Sequence, residues 1–133
     1  MHYMLDTNIC SYVLRSRPAS VKERFNEAGP NALGLSTVVL AELLYGAARH
    51  PSGSVIRREI QDFVTRLDVL PWDEAAAEHY GDLCAGLERH GRPLGAMDLM
   101  IAAHARSEGL VIVTNHRREF DRVPALQVED WSL

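Results

Sequence analysis

Three acidic residues stand where the surrounding pattern calls for apolar ones. Glu42 lies in Val38-Val39-Leu40-Ala41-Glu42-Leu43-Leu44-Tyr45, and its helical neighbours three and four positions away are Val38, Val39, Tyr45 and Gly46. Asp98 lies in Met97-Asp98-Leu99-Met100-Ile101-Ala102, with Leu94, Gly95, Ile101 and Ala102 as its neighbours. Asp6 sits where a short apolar run, Tyr3-Met4-Leu5, gives out. A carboxylate without a partner in such surroundings costs several kcal/mol or so. Each has a bland explanation of its own. Asp6 could simply cap a helix, Glu42 could reach Arg57 or Arg58, and Asp98 could serve the dipole of its own helix. One shared explanation covers all three: the acids converge on a cation, and oxygen-only donors suit Mg²⁺ or Mn²⁺ rather than zinc.

Such a convergence needs elements that deliver the acids to one place. Residues 3–5 read as a strand, with Thr7 able to cap the helix behind it. Pro18 suits the first turn of a second helix, which carries Val21 and Phe25 and is stopped by Gly29-Pro30. Residues 33–35 form a brief apolar stretch, followed by a helix from Ser36 or Thr37 to Tyr45. After a loop at 51–53, Ile56, Ile60, Phe63 and Leu67 recur at helical spacing. A short strand at 69–70 precedes a long helix capped by Asp73 and ended by Gly91 and Pro93. A helix over 96–107, a strand over 110–113 and a last strand over 126–128 complete the chain. Strands alternating with helices predict one α/β domain over residues 1–133, a parallel sheet with helices on both faces. Ligand sites in such sheets lie beyond the carboxyl ends of the strands, where Asp6 and the turn after Val113 both fall.

The bulk composition narrows the function classes. The 133 residues favour a single domain, and 47% hydrophobic content is ample for one core. A formal net charge of -4 is not the footprint of a protein that grips nucleic acid by bulk charge, yet clustered carboxylates awaiting cations would themselves lower it. Cys10 and Cys84 are too few for a disulfide scaffold and read as buried free thiols. No leader pattern opens the chain and no apolar run approaches membrane-spanning length, which predicts a cytoplasmic protein. The six histidines show no zinc-ligand spacing with the cysteines; His104, off the face of Asp98, reads as a surface or packing residue. A phosphoacceptor signalling module is disfavoured, because Asp6 has no acidic partner before the first strand and the only lysine is Lys22.

The segments that carry these residues resemble those of the PIN domain, in particular the VapC-type toxins of bacterial toxin–antitoxin pairs. Met4-Leu5-Asp6-Thr7-Asn8 is similar to the opening motif. Ser36-Thr37-Val38-Val39-Leu40-Ala41-Glu42-Leu43 is similar to the segment with the second acid, and Asp98-Leu99-Met100-Ile101-Ala102-Ala103-His104-Ala105 to that with the third. Val113-Thr114-Asn115 with Glu119-Phe120 resembles the last motif, so the likeness spans nearly the whole chain in order.

The resemblance implies an α/β/α sandwich around a parallel sheet of about five strands. It implies a Mg²⁺- or Mn²⁺-dependent endoribonuclease, often acting on transfer RNA, usually homodimeric, and inhibited by a VapB-type antitoxin that fills the active-site groove. Asp6, Glu42 and Asp98 would form the metal-binding catalytic centre, with Thr7 and Thr114 as supporting hydroxyls. The last motif departs from the common pattern: His116 stands where Asp or Asn is frequent, and Glu119 where Asp is frequent. Phe120 should anchor this turn, which leaves Glu119 beside the sheet end as a fourth acid acting on the metal directly or through water. Asn115 and His116 are further polar candidates there.

Overall fold

The computed structural model describes residues 1–29 and 31–133. Its strands are β1 (Tyr3–Leu5), β2 (Leu33–Ser36), β3 (Asp68–Leu70), β4 (Val111–Val113) and β5 (Val128–Glu129). Between them run α1 (Thr7–Arg15), α2 (Ala19–Glu27), α3 (Thr37–Ala48), α4 (Gly53–Val64), α5 (Glu74–Arg89), α6 (Ala96–Ser107) and the short α7 (Arg117–Phe120). The strands form one parallel sheet in the order β3-β2-β1-β4-β5. The expected architecture is therefore present.

That order matters for function. From β1 the chain winds outward to β2 and β3, then returns to the other side of β1 for β4 and β5. The reversal falls between β1 and β4, which pair with Leu5 opposite Val113. The loops leaving these two strands at the carboxyl end part in opposite directions and open a crevice there. The strands beneath it are short and apolar: Met4, Leu5, Ile112 and Val113 are fully buried. Helices α5 and α6 pack together as a hairpin, and α3 pairs with α4, so the first turns of α1, α3 and α6 are held by packed partners.

Several local expectations need correction. Asp6, not Thr7, caps α1: its side chain accepts from the Ile9 N–H, and Thr7 is the first helical residue. Helix α3 runs on to Ala48, because Gly46 does not end it and nothing there breaks the apolar face that reaches Ala47. Gly53 begins α4 instead of closing a loop; a Cβ there would collide with the Ala47 carbonyl, so the tight α3–α4 corner requires glycine. The fourth strand starts at Val111, one residue late, and β5 pairs through Val128–Glu129. Cys10 is buried as expected, but Cys84 is only half-buried, on the face of α5 that carries Glu88. The stop assigned to Gly29-Pro30 falls partly outside the described residues; α2 itself ends at Glu27.

Candidate active site

Asp6 is the most constrained acid in the molecule. It leaves β1 with extended backbone, φ -82° and ψ 175°, and caps α1 by accepting the Ile9 N–H on Oδ1 at 2.9 Å. Its Oδ2 accepts the hydroxyl of Thr114, which follows β4 directly, so one bond ties the two strand ends that bound the crevice. Asp6 is 3% exposed and Thr114 fully buried. Burial is the main force on the carboxyl and lifts its pKa from 3.8 to about 6; the Thr114 and Ile9 bonds and the nearby His116 pull the other way, and Asp98 adds to the rise. Each carboxylate oxygen keeps a second lone pair.

The other acids gather around it. Asp98, in the first turn of α6, is half-buried, and burial raises its pKa, with Glu42 and Glu119 adding to the effect and His116 opposing it. Glu42 projects from α3 and accepts the Thr7 hydroxyl on Oε1 at 2.5 Å. The ion pairs of the described residues include none to Glu42, so Arg57 and Arg58 do not neutralise it. Phe120 is fully buried, which anchors α7 as the sequence suggested, and half-buried Glu119 beside it is near enough to act on Asp98. Asp6, Glu42, Asp98 and Glu119 are thus linked through Asp98, and Thr7 and Thr114 each hold one acid in place.

A polar chain continues from this cluster. The Asn8 amide donates to Asn115 Oδ1 at 3.2 Å and lies 3.1 Å from His116 Nε2; the Asn115 amide donates to the Tyr12 hydroxyl at 2.9 Å. The His116 N–H donates to Thr114 Oγ1 at 2.9 Å, which fixes the turn after β4. Neither Asn8 nor Tyr12 is singled out as a site residue by the sequence, although Asn8 closes the opening motif. Asn8 stands two residues from Asp6, close enough in the same segment to have been suspected; Tyr12 reads only as part of an apolar helix face.

These donors suit a hard divalent cation. All are oxygens, one acid is buried and lifted towards neutrality, and neighbouring carboxylates add to the rise at Asp6 and Asp98, a tension a cation would relieve. Among the described residues no three acids or histidines already stand in ligating geometry. Glu42 and Asp6 are each turned to a threonine hydroxyl.

Comparison with known proteins agrees with the site. A PIN domain model matches residues 3–126. A protein of Shigella flexneri named tRNA(fMet)-specific endonuclease VapC is 51% identical over 132 residues, covering 99% of both chains. Ribonuclease VapC2 of Haemophilus influenzae is 43% identical and covers 98% of both. Among solved structures, a chain of the DNA-bound VapBC complex of Salmonella typhimurium superposes with a TM-score of 0.93 at 42% identity, covering 98% of each chain. The chain belongs to the PIN-domain family and, within it, to the VapC ribonucleases.

Proposed function

We propose that this chain is a single-domain, metal-dependent endoribonuclease toxin that cuts transfer RNA, initiator tRNA being the first candidate, and so blocks translation. The observation that carries the reading is the acid cluster at the reversal between β1 and β4, with buried Asp6 at its centre and Asp98, Glu42 and Glu119 around it. Two relatives at 51% and 42% identity bear the name tRNA(fMet)-specific endonuclease, which supports the choice of substrate.

In this reading Asp6 and Asp98 hold a Mg²⁺ or Mn²⁺ ion, with Glu42 and Glu119 contributing directly or through water. When bound, the ion supplies acidification of a water molecule and neutralisation of charge on the cleaved phosphate. The chain's own residues set the stage. Thr114 and the Ile9 N–H fix the Asp6 carboxylate, Thr7 orients Glu42, and Asn8 with His116 offers hydrogen bonds at the rim to an RNA oxygen. A VapB-type antitoxin is the proposed inhibitor, in keeping with the VapBC complexes among the structural relatives. The proposed active form is a cytoplasmic homodimer; no helix of the described residues is long and apolar enough to cross a membrane.

The test is expression in bacteria without a partner, followed by mapping of RNA ends. Growth should stop and new ends should appear within tRNA, while Asp98→Asn should relieve arrest and lower the cleavage rate by about a hundredfold or more. Addition of Mn²⁺ to the purified parent should raise its melting temperature over that in EDTA, and Asp98→Asn should lose most of the gain. A folded Asp98→Asn protein as toxic as the parent would sink the reading.

A further inference from the structure

A strongly basic cleft lies beside the segments that carry Asp98 and Glu119. One wall is the end of α5 and the loop behind it, with Arg89 and Arg92; the other is α7 and the turn after it, with Arg118 and Arg122. They border two adjoining hollows of about 670 and 610 Å³ that share Arg92 and Arg122. Two acids line these hollows, and both are answered: Asp121 by Arg117 at 3.4 Å, and Asp82 by Arg106 at 4.0 Å. Among the described residues Arg89, Arg92, Arg118 and Arg122 form no ion pair. Arg122 donates to the Pro93 carbonyl at 3.4 Å, which joins the two walls. In a chain with a net charge of -4, four unanswered guanidinium groups on one cleft are a marked local excess.

The position of the cleft gives this excess its meaning. Arg118 directly precedes Glu119 in α7, and the loop carrying Arg92 runs into the first turn of α6, where Asp98 stands. Each basic wall is therefore continuous along the chain with an acid of the crevice. The second hollow is lined by Gly91, Arg92, Pro93, Arg118, Asp121 and Arg122, with no large apolar side chain to anchor a protein. The opposite flank of the crevice, beyond Thr7 and Glu42, is mixed: Leu14, Leu43, Ile56 and Ile60 stand beside Arg15, Arg49 and Glu59. Guanidinium forks match phosphate oxygens, and an RNA strand offers a row of phosphates on each side of the one being cut.

We propose that this cleft is the track for the RNA backbone flanking the cleaved bond, with Arg92, Arg118 and Arg122 each holding a phosphate. The proposal rests on the ribonuclease reading above. It assigns substrate grip to the flank of the crevice that carries Arg92, Arg118 and Arg122.

The experiment measures tRNA binding against salt concentration, with Asp98→Asn in every protein and Mg²⁺ withheld so that cleavage is suppressed. Combined Arg92→Ala, Arg118→Ala and Arg122→Ala changes should weaken binding by about tenfold or more. They should also flatten the plot of log affinity against log salt by roughly two to three, since each lost phosphate contact removes about 0.7–0.9 from the slope. The corresponding triple lysine variant should recover most of the slope, which separates lost charge from lost fold. Lys22→Ala, on α2, should leave the slope alone. A triple alanine variant that melts like its parent and keeps the parental slope overturns the proposal. So does one that keeps the slope but is no longer bound by the antitoxin, which would give the cleft to the protein partner. Failure of the ribonuclease reading looks different: no protein of the series would bind tRNA, and the proposal would fall with it.

Discussion

Two buried polar pairs sit side by side at the same end of the sheet. Asp6 follows β1 and accepts from Thr114; Ser36 ends β2 and lies 2.7 Å from His104 Nδ1. These four are the buried polar or charged residues of the described chain. Their strands are neighbours, with Met4 opposite Gly34, so Asp6 and Ser36 fall in the same row. Each caps the helix it precedes, Asp6 through the Ile9 N–H and Ser36 through the Val38 N–H at 3.1 Å. Each is followed by a threonine whose hydroxyl is used: Thr7 donates to Glu42, and Thr37 accepts the Trp72 N–H at 3.1 Å. The backbone device is the same twice over. What differs is charge and company. Asp6 has other acids before it and an open crevice; Ser36 has a single histidine, sealed in, whose pKa burial pushes down so that it stays neutral. The Ser36 hydroxyl accepts from Val38 and has its own proton free for Nδ1. That leaves the ring proton on Nε2, which has no hydrogen-bond partner among the described residues. One pair therefore carries unresolved charge and suits chemistry, while the other is a neutral joint between β2 and α6.

The sharpest test of that contrast is Asp6→Asn, which should separate activity from stability. Cleavage should fall by about a thousandfold, because a neutral amide is a poor ligand for a hard cation. Stability should not fall with it, since asparagine caps a helix as well as aspartate does. In EDTA the variant should in fact be the more stable protein above about pH 6. The folded pKa of about 6 lies above the ordinary 3.8, so the folded chain keeps a proton that the unfolded chain gives up. The stability this confers is complete at low pH and is lost as pH rises through 6, where the parent must carry a buried charge. The gain from Asp6→Asn is at most about 3 kcal/mol. Chemical denaturation across pH would check it, and a large loss of stability at all pH values would make Asp6 a structural residue like Ser36.

The converse variant is Ser36→Ala, which should cost stability and spare the rate. It removes the α3 cap and leaves His104 Nδ1 with no partner, together about 2–4 kcal/mol. The cleavage rate per folded molecule should stay within about twofold of the parent, as no acid of the crevice is touched. His104 also sets a pH dependence of the opposite sign to that of Asp6. Its folded pKa is depressed below 6.5, so the stability it permits is present above that pH and is lost as the unfolded chain takes up protons below it. His104→Leu should flatten the acid-side fall. A Ser36→Ala protein that melts normally but cuts slowly would merge the two pairs into one functional unit.

The sequence made one of these pairs legible and hid the other, for a physical reason. Asp6, Glu42 and Asp98 stand out because an acid among apolar residues has few cheap explanations, and that anomaly survives without any knowledge of contacts. The sheet and its helices were legible for a similar reason, since short apolar runs alternate with helical stripes. Ser36 and His104 are each ordinary in their own segment. Serine before a helix reads as a cap, and a histidine six residues past Asp98 reads as off its face. Their meaning lies in a bond that spans 68 positions, and no local pattern encodes it. The strand order, which places Thr114 beside Asp6, is likewise a long-range fact. Cys84 misled because apolar neighbours in sequence do not say how deeply a helix position is covered: it packs only partly against the core, with Glu88 one turn on.

The smallest expected effect is at the rim, where His116 and Glu119 compete for the role of the extra group. Both act on Asp98 from the turn after β4, with opposite sign: His116 lowers its pKa and Glu119 raises it. Glu119 has the anchoring. It precedes buried Phe120 in α7, and its own N–H bonds the His116 carbonyl at 3.1 Å, so its backbone is fixed while its side chain remains half-exposed. Among the described residues it pairs with no arginine, although Arg117 and Arg118 are adjacent; Arg117 turns to Asp121 instead. An acid left free beside Asp98 is placed to add a water-mediated contact to a cation. His116 is more exposed, and its Nε2 is shared with the Asn8 amide at 3.1 Å, which suits a hydrogen bond to RNA better than metal ligation. Glu119→Gln should therefore lower the cleavage rate about 10–100-fold, most strongly at limiting Mg²⁺. His116→Ala should cost less and act mainly on KM, since it removes a rim contact and leaves the acids in place. Rate measurements at limiting and saturating Mg²⁺ distinguish the two. Parental rates for Glu119→Gln at limiting Mg²⁺, or a larger loss for His116→Ala, would reverse the assignment and confine the working acids to Asp6, Glu42 and Asp98.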